Sequence, residues 1–143
     1  MDLQLESIIK ILIAVLVGGL IGLERESASR PAGLRTHILV CVASAMVIDM
    51  NLMMAKEYFN ADPMRLGAQV ISGMGFLGAG TIIKEGASVK GLTTAAGLWS
   101  VACLGLVVGS GQFLMALFAA LVMLITLKTF NQLELKYSKN KKK

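Results

Sequence analysis

No charged residue occurs between Gly91 and Leu127. At ~1.5 Å of rise per helical residue, such a run is far longer than the ~30 Å hydrocarbon core one helix has to cross, so it must double back. The only turn-forming cluster inside it is Gly109-Ser110-Gly111, which divides it into two spans. Charge is scarce elsewhere too. Of 143 residues, 16% are charged and 55% hydrophobic, and the mean hydropathy of +0.70 excludes an ordinary soluble domain. Cysteine occurs only as Cys41 and Cys103, both in apolar runs, so they read as small packing residues and not as a disulfide framework. His37 is the only histidine and has no second metal ligand nearby in sequence, so it reads as a residue of the cytoplasmic interface. The length leaves room for one compact helical bundle and no sizeable extramembrane domain, so catalysis in a separate soluble module is not expected.

What is present is a series of apolar stretches: Leu5 to Leu23, Thr36 to Met54, Leu66 to Ile83, Leu92 to Val108 and Gln112 to Leu127. They predict an all-α polytopic bundle of about five spans over residues 1–130, with 131–143 as a basic tail. Were Gly91 to Gly97 re-entrant, the count would fall to four, and the unwound backbone would need protein or water around it. Arg25, Arg30, Arg35, Lys84, Lys90 and the tail lysines all fall on one side of a five-span topology, while only Lys56 and Arg65 occupy the second loop. Positively charged loops are retained in the cytoplasm, which places the N-terminus outside and the tail inside. Asp2 and Glu6 stand where a signal peptide would be basic, so the first span reads as a retained anchor. The net charge of +5 then needs no nucleic acid, because positive-inside loops and a lysine tail against anionic headgroups account for it.

On a helical wheel the third span carries Ala68, Ser72, Gly75 and Ala79 as one stripe, with Gln69, Gly73 and Gly80 beside it. Small residues let membrane helices approach closely, so two partner helices are expected there, with Leu66, Val70, Met74 and Leu77 facing lipid. Gly18 with Gly22, and Gly105 with Gly109, are the natural candidates for those partners. Gly73-Met74-Gly75-Phe76-Leu77-Gly78 matches a dinucleotide fingerprint by letter, but no strand precedes it and no cytoplasmic phosphate site fits within a span.

A charge inside the membrane costs a few kcal/mol or more, so Lys10 and Asp49 each demand a partner. They lie at similar depth near the outer end, and Arg65 and Gln69 fall near the same level, which makes these four a candidate polar cluster. Its plain reading is a buried ion pair that fixes helix register; its sharper one is an ion or proton site. One carboxylate beside an ammonium suits Mg²⁺ poorly, since that ion wants several oxygens and keeps its waters. No cofactor is expected. At the other face Glu24, Arg25 and Arg35 sit at span ends, where basic residues are expected from orientation alone, while arginine's planar fork also suits carboxylate or phosphate. Thr93 and Thr94 follow Gly91, where they could cap the fourth span or bond across to a neighbour. Trp99 lies mid-span, so its indole N–H is expected to have an internal partner.

Four motifs in order, Gly19-Leu20-Ile21-Gly22-Leu23-Glu24-Arg25, Ala32-Gly33-Leu34-Arg35-Thr36, the run Gln69 to Gly80, and Gly91-Leu92-Thr93-Thr94-Ala95-Ala96 with Leu98-Trp99, resemble the membrane domain of the MgtC/SapB family. The resemblance covers nearly the whole chain up to about Leu127. It implies a multi-pass bacterial inner-membrane protein linked to growth at low Mg²⁺ and to acid tolerance. It also implies a regulator acting on the proton-translocating ATP synthase more than a magnesium transporter. The positions matching family motifs are Glu24, Arg25, Arg35, Gln69, Ser72, Thr93, Thr94 and Trp99, with Gly73, Gly75, Gly78 and Gly80 in the small-residue stripes. Many members continue into a soluble domain resembling ligand-binding ACT domains, whereas this sequence passes into lysines, so regulation through such a domain is not expected. The best-known members carry asparagine where this chain has Thr93 and cysteine where it has Ser100, so roles tied to those side chains do not carry over.

The resulting expectation is a self-associating membrane protein without enzymatic chemistry, serving cation homeostasis through helix docking in the bilayer. The alternative is an oligomeric Mg²⁺ or proton channel or transporter that assembles its site from several copies of Asp49 or Glu24.

Overall fold

Lys10, Ala14, Val17, Gly18, Ile21, Glu24 and Arg25 recur at three- and four-residue intervals, and they are among the residues that helix α1 (Leu3–Ser27) buries. The computed structural model describes residues 3–140, with side chains as far as Thr129. A short loop turns the chain at Ser29, which has a left-handed φ of 52°. Helix α2 (Leu34–Glu57) then begins with the Leu34 N–H donating to a Glu26 carboxylate oxygen at 2.8 Å, which satisfies one of the donors that a helix start leaves open. Helix α4 (Leu92–Gly109) touches all four other helices and buries Thr94, Leu98, Val101, Ala102, Leu104 and Val108, leaving Leu92, Thr93, Ala96 and Trp99 on an exposed face. Helix α5 (Phe113–Asn140) follows the tight turn at Ser110 to Gln112. It turns Ala116 and Ala120 into the core and leaves Leu114, Phe118 and Leu121 exposed.

Three helices, Leu3–Ser27, Leu34–Glu57 and Leu92–Gly109, are long and apolar enough to cross a membrane, and the apolar part of α5, Phe113–Thr129, is slightly shorter. Their outward faces carry Leu12, Leu16, Leu39, Met46 and Phe118, all more than half exposed. Such a surface would be an aggregation liability in water and suits hydrocarbon. The chain is therefore an all-α membrane bundle. Residues Leu92 to Gly109 form one continuous helix, with Gly91 (φ 88°) as its N-cap, and not a re-entrant segment.

The glycine pairs of α1 and α4 both pack on α2, not on the third helix as the small-residue spacing suggested. A methyl group at Gly18 would come 2.7 Å from Cys41 Cβ, and one at Gly22 would come 2.7 Å from Leu34 Cα. Further along the same face of α2, a methyl at Gly105 would run into the Cys41 carbonyl, and one at Gly109 into that of Ala45. Backbone approach of this kind supplies the dispersion contacts that hold membrane helices together where no hydrophobic drive exists.

Helix α3 (Arg65–Gly80) departs most from expectation. At 16 residues it rises ~24 Å, short of the ~30 Å core, and it ends at Gly80 instead of continuing to Ile83. Beyond it, β1 (Ile83–Glu85) pairs antiparallel with β2 (Ser88–Lys90), closed by Gly86 at φ 60° and by a Lys90–Glu85 ion pair of 2.6 Å. The helix has ended before Ile82 and Ile83, and Ile83 belongs to the exposed hairpin, so neither prolongs the third helix. The face of α3 is also corrected: Gly67, Met74 and Gly78 are its buried residues, with Val70 packed on the core. Ser72, Gly73, Gly75 and Gly80 are exposed, and methyl groups at the three glycines would meet nothing within 4 Å. Finally, α5 continues through Asn140, so its backbone is helical well into the stretch expected to be a tail.

Candidate functional site

At the end of the bundle where α1 and α5 begin, Lys10 and Asp49 meet. The Lys10 ammonium donates to Asp49 Oδ1 at 2.7 Å and reaches Glu6 Oε1, one turn back on its own helix, at 2.9 Å. Ser7 donates its hydroxyl to Asp49 Oδ2 at 2.6 Å, so both carboxylate oxygens of Asp49 are used. The helices place these groups without strain: Glu6 and Lys10 stand at the i, i+4 spacing that faces a pair on one helix surface, and Asp49 arrives from the antiparallel α2. The α4–α5 turn closes the cluster from behind, with Gly111 close to the Lys10 side chain. Lys10 and Asp49 are each only 8% exposed. A buried pair of this kind does not stabilise strongly in itself, but loss of either member strands the other, which makes it a device for fixing register.

Arg65 and Gln69, expected to complete this cluster, do not join it. Both are exposed on α3, and among the described residues neither bonds to Lys10 or Asp49. The polar residue that α2 does send to α3 is Asn51, which the sequence reading passed over. Its amide donates to Asp62 O at 2.9 Å and accepts the Leu66 N–H at 2.7 Å, pinning the start of α3 to α2.

A second polar cluster lies at the opposite end, where α1 finishes. Arg25 is 1% exposed and pairs through Nε with the carboxylate of its neighbour Glu24, itself buried. His37, in the first turn of α2, is fully buried. Its Nδ1 lies 2.9 Å from Gly33 O, an acceptor only, so Nδ1 carries a proton, and in the neutral ring Nε2 presents a lone pair. Nε2 is the buried side-chain nitrogen that has no hydrogen-bond partner among the described residues, and it faces Gly97 of α4. Thr94 is buried one turn away on that helix, whereas Arg35 and Thr93 are exposed. Thr93 lines a half-open apolar groove of about 210 Å³ between α4 and α5, together with Gly97, Ser100 and Thr126. Trp99 is 46% exposed, and among the described residues no hydrogen bond reaches its indole, so the internal partner expected for it is not found.

These features sit within a recognisable sequence pattern. A profile of the MgtC family matches residues 11–136 and takes in α1 from its third turn, both buried polar clusters except Glu6, Ser7 and Lys10, and the whole of α3 and α4. The chain belongs to the MgtC family. Among its relatives, the "Putative magnesium transporter YhiD" of Escherichia coli K12 is 37% identical over 133 residues, covering 90% of this chain and 62% of the relative. "Protein MgtC" of Salmonella typhimurium LT2 is 45% identical over 117 residues, covering 82% of this chain and 49% of the relative. An uncharacterized protein of Synechocystis is 38% identical over 120 residues, 84% of this chain and 50% of its own. This MgtC-family chain thus spans about half to three-fifths of the length of these curated relatives. No solved structure matches it.

Proposed function

We propose that this MgtC-family chain is a membrane-embedded regulator of Mg²⁺-linked cation homeostasis in a bacterial cytoplasmic membrane, acting through helix docking on α3. The observation that carries the reading is the open face of α3. The glycine pairs of α1 and α4 are consumed in packing on α2, while Ser72, Gly73, Gly75 and Gly80 face outward with nothing against them. Gln69 shares that side, and an amide side chain in hydrocarbon favours a partner that both donates and accepts. A second copy of the chain offers that complement, and so does a transmembrane helix of another protein such as a subunit of the ATP synthase, the partner that family resemblance suggests. The positive-inside distribution orients Lys10 and Asp49 toward the outside, with Glu24, Arg25 and the hairpin lysines toward the cytoplasm. Adaptation to low Mg²⁺ or acid is the setting that the family suggests.

Photo-crosslinkers placed at Ser72 and Gly75 in living cells test the docking reading. Capture of a distinct membrane protein, lost when the probe is moved to the lipid face of α5, is the expected result. Recovery of nothing but the chain itself would count against regulation and leave self-association alone.

The second reading, an oligomeric Mg²⁺ or proton pathway, is favoured by the charged Lys10–Asp49 pair inside a span and by the printed name of the Escherichia coli relative. Within one chain, Lys10 occupies an oxygen of each of the carboxylates Glu6 and Asp49, which leaves a poor cage for a hydrated divalent ion. Saturable dye-reported flux into proteoliposomes, abolished in Asp49→Asn, would establish this reading over the first.

A further inference from the structure

The α1–α2 interface is closed at one end and open at the other. Near Gly18 and Gly22 the two backbones touch, whereas at the Lys10–Asp49 end long side chains hold the helices apart and leave two connected cavities. The first is a polar cup of about 220 Å³ lined by Glu6, Ser7, Lys10, Asp49, Lys56 and Ser110. The second is an apolar groove of about 180 Å³ lined by Ile11, Ala45, Met46, Met50 and Met53. Ser7, Lys10, Asp49 and Met53 line both, so the groove continues the cup. Their order along the helices is that of an amphiphile standing in a leaflet. Glu6 and Lys56 lie toward the rim, the ion pair forms the floor of the cup, and Ile11, Ala45 and Met46 lie deeper in the membrane.

The charges of the cup select the headgroup. Glu6, Lys10, Asp49 and Lys56 sum to zero. The bonds within the cluster consume the Lys10 ammonium, both oxygens of Asp49 and Oε1 of Glu6. What is left is one anionic oxygen, Glu6 Oε2, and one cation, the Lys56 ammonium, which attracts Glu6 across the cup but forms no ion pair among the described residues. One free anion and one free cation match an ammonium and a phosphate. They suit neither a net-negative headgroup nor a hydrated divalent cation, which would meet a single spare carboxylate oxygen beside a lysine. Below them, Met46, Met50 and Met53 are exposed, flexible thioethers that can re-pack around an acyl chain.

We propose that this end of the α1–α2 interface binds one phospholipid with a zwitterionic, primary-amine headgroup. Its phosphate rests on Lys56, its ammonium donates to Glu6 Oε2, and one acyl chain lies along Met46, Met50 and Met53. The primary amine is a required part of the assignment, because a quaternary ammonium has no N–H to donate to Glu6. No residue of α3 lines either cavity, so the site stands or falls independently of the docking reading.

The test is native mass spectrometry of the full chain, released from nanodiscs containing equal phosphatidylethanolamine, phosphatidylcholine and phosphatidylglycerol. One phosphatidylethanolamine should be retained, about tenfold over either competitor, as expected for one charge-assisted hydrogen bond lost with each. Lys56→Glu should remove that preference, and Met50→Trp, which fills the groove from the lipid side, should reduce retention by a similar factor. Leu114→Trp on α5 should change nothing. All three positions are exposed, so monodispersity in detergent should match the parent chain. Equal retention of the three lipids, a preference for phosphatidylglycerol, or a phosphatidylethanolamine adduct that survives both Lys56→Glu and Met50→Trp would overturn the proposal.

Discussion

Replacing Asp49 with Leu takes away one of the two carboxylates that hold Lys10. Breaking a buried pair costs about 3–5 kcal/mol when the surviving charge has nowhere to turn. Here Glu6 remains 2.9 Å from the ammonium, and the cluster lies near the end of the bundle, so a loss of about 2–3 kcal/mol is expected. Lys10→Met should cost about the same, because it leaves Asp49 buried with only the Ser7 hydroxyl as donor. The double variant Lys10→Met with Asp49→Leu removes both charges and fills the space with apolar atoms, at a cost of about 2 kcal/mol or less. The resulting coupling of at least ~2 kcal/mol exceeds the ~0.6 kcal/mol typical of hydrogen bonds between membrane helices. Reversible unfolding in mixed micelles, followed by helical circular dichroism as denaturing detergent is added, gives all four corners of the cycle. If the two single effects add to within ~0.5 kcal/mol in the double variant, the contact contributes no coupling and the argument from burial fails.

Glu24→Ala leaves Arg25 buried without its carboxylate and should destabilise the bundle by about 3–5 kcal/mol in the same assay. Gly105→Ala drives a methyl into the Cys41 carbonyl and should cost about 1–3 kcal/mol by overpacking, whereas Gly75→Ala, with open space around it, should stay within ~0.5 kcal/mol. In bilayers, Gly75→Leu should instead lower single-molecule or crosslinked oligomer yield, and unchanged yield would remove α3 from the interface. Asn51→Ala breaks both bonds to the loop and start of α3 and should speed hydrogen exchange at Leu66 and Ala68, with little change in α1. Uniform protection across the chain would contradict that local role.

Much of the bundle could be read from the sequence because hydrocarbon permits few backbone arrangements. The first, second and fourth expected spans coincide with helices to within a few residues, the fifth shares only the start of its helix, and a charge pair as unusual as Lys10 and Asp49 announced its own contact. The face of α3 was misread because both lipid and protein interior accept apolar side chains, so Met74 and Val70 gave no sign of which they would meet. Glycine spacing correctly marked Gly18, Gly22, Gly105 and Gly109 as contact points, but spacing does not say which helix makes the contact. The hairpin was hidden by Ile82 and Ile83, which prolong the apolar run past the point where Gly80 and Thr81 end the helix. His37 and Asn51 were missed for a common reason: their hydrogen-bond partners are backbone atoms, which no pairing of side-chain types reveals.

The position of α2 constrains how such a chain can diverge. Its backbone from Leu34 to Cys41 touches the glycines of α1, and from Cys41 to Ala45 those of α4. A larger residue at any of these glycines would force two seams to shift together, so helices α1, α2 and α4 are bound to drift as one heritable block. α3 meets that block mainly through Met74, Gly67 and Gly78 and leaves its other side free. New recognition properties can therefore arise on α3 by single substitutions without any change to the frame that carries it.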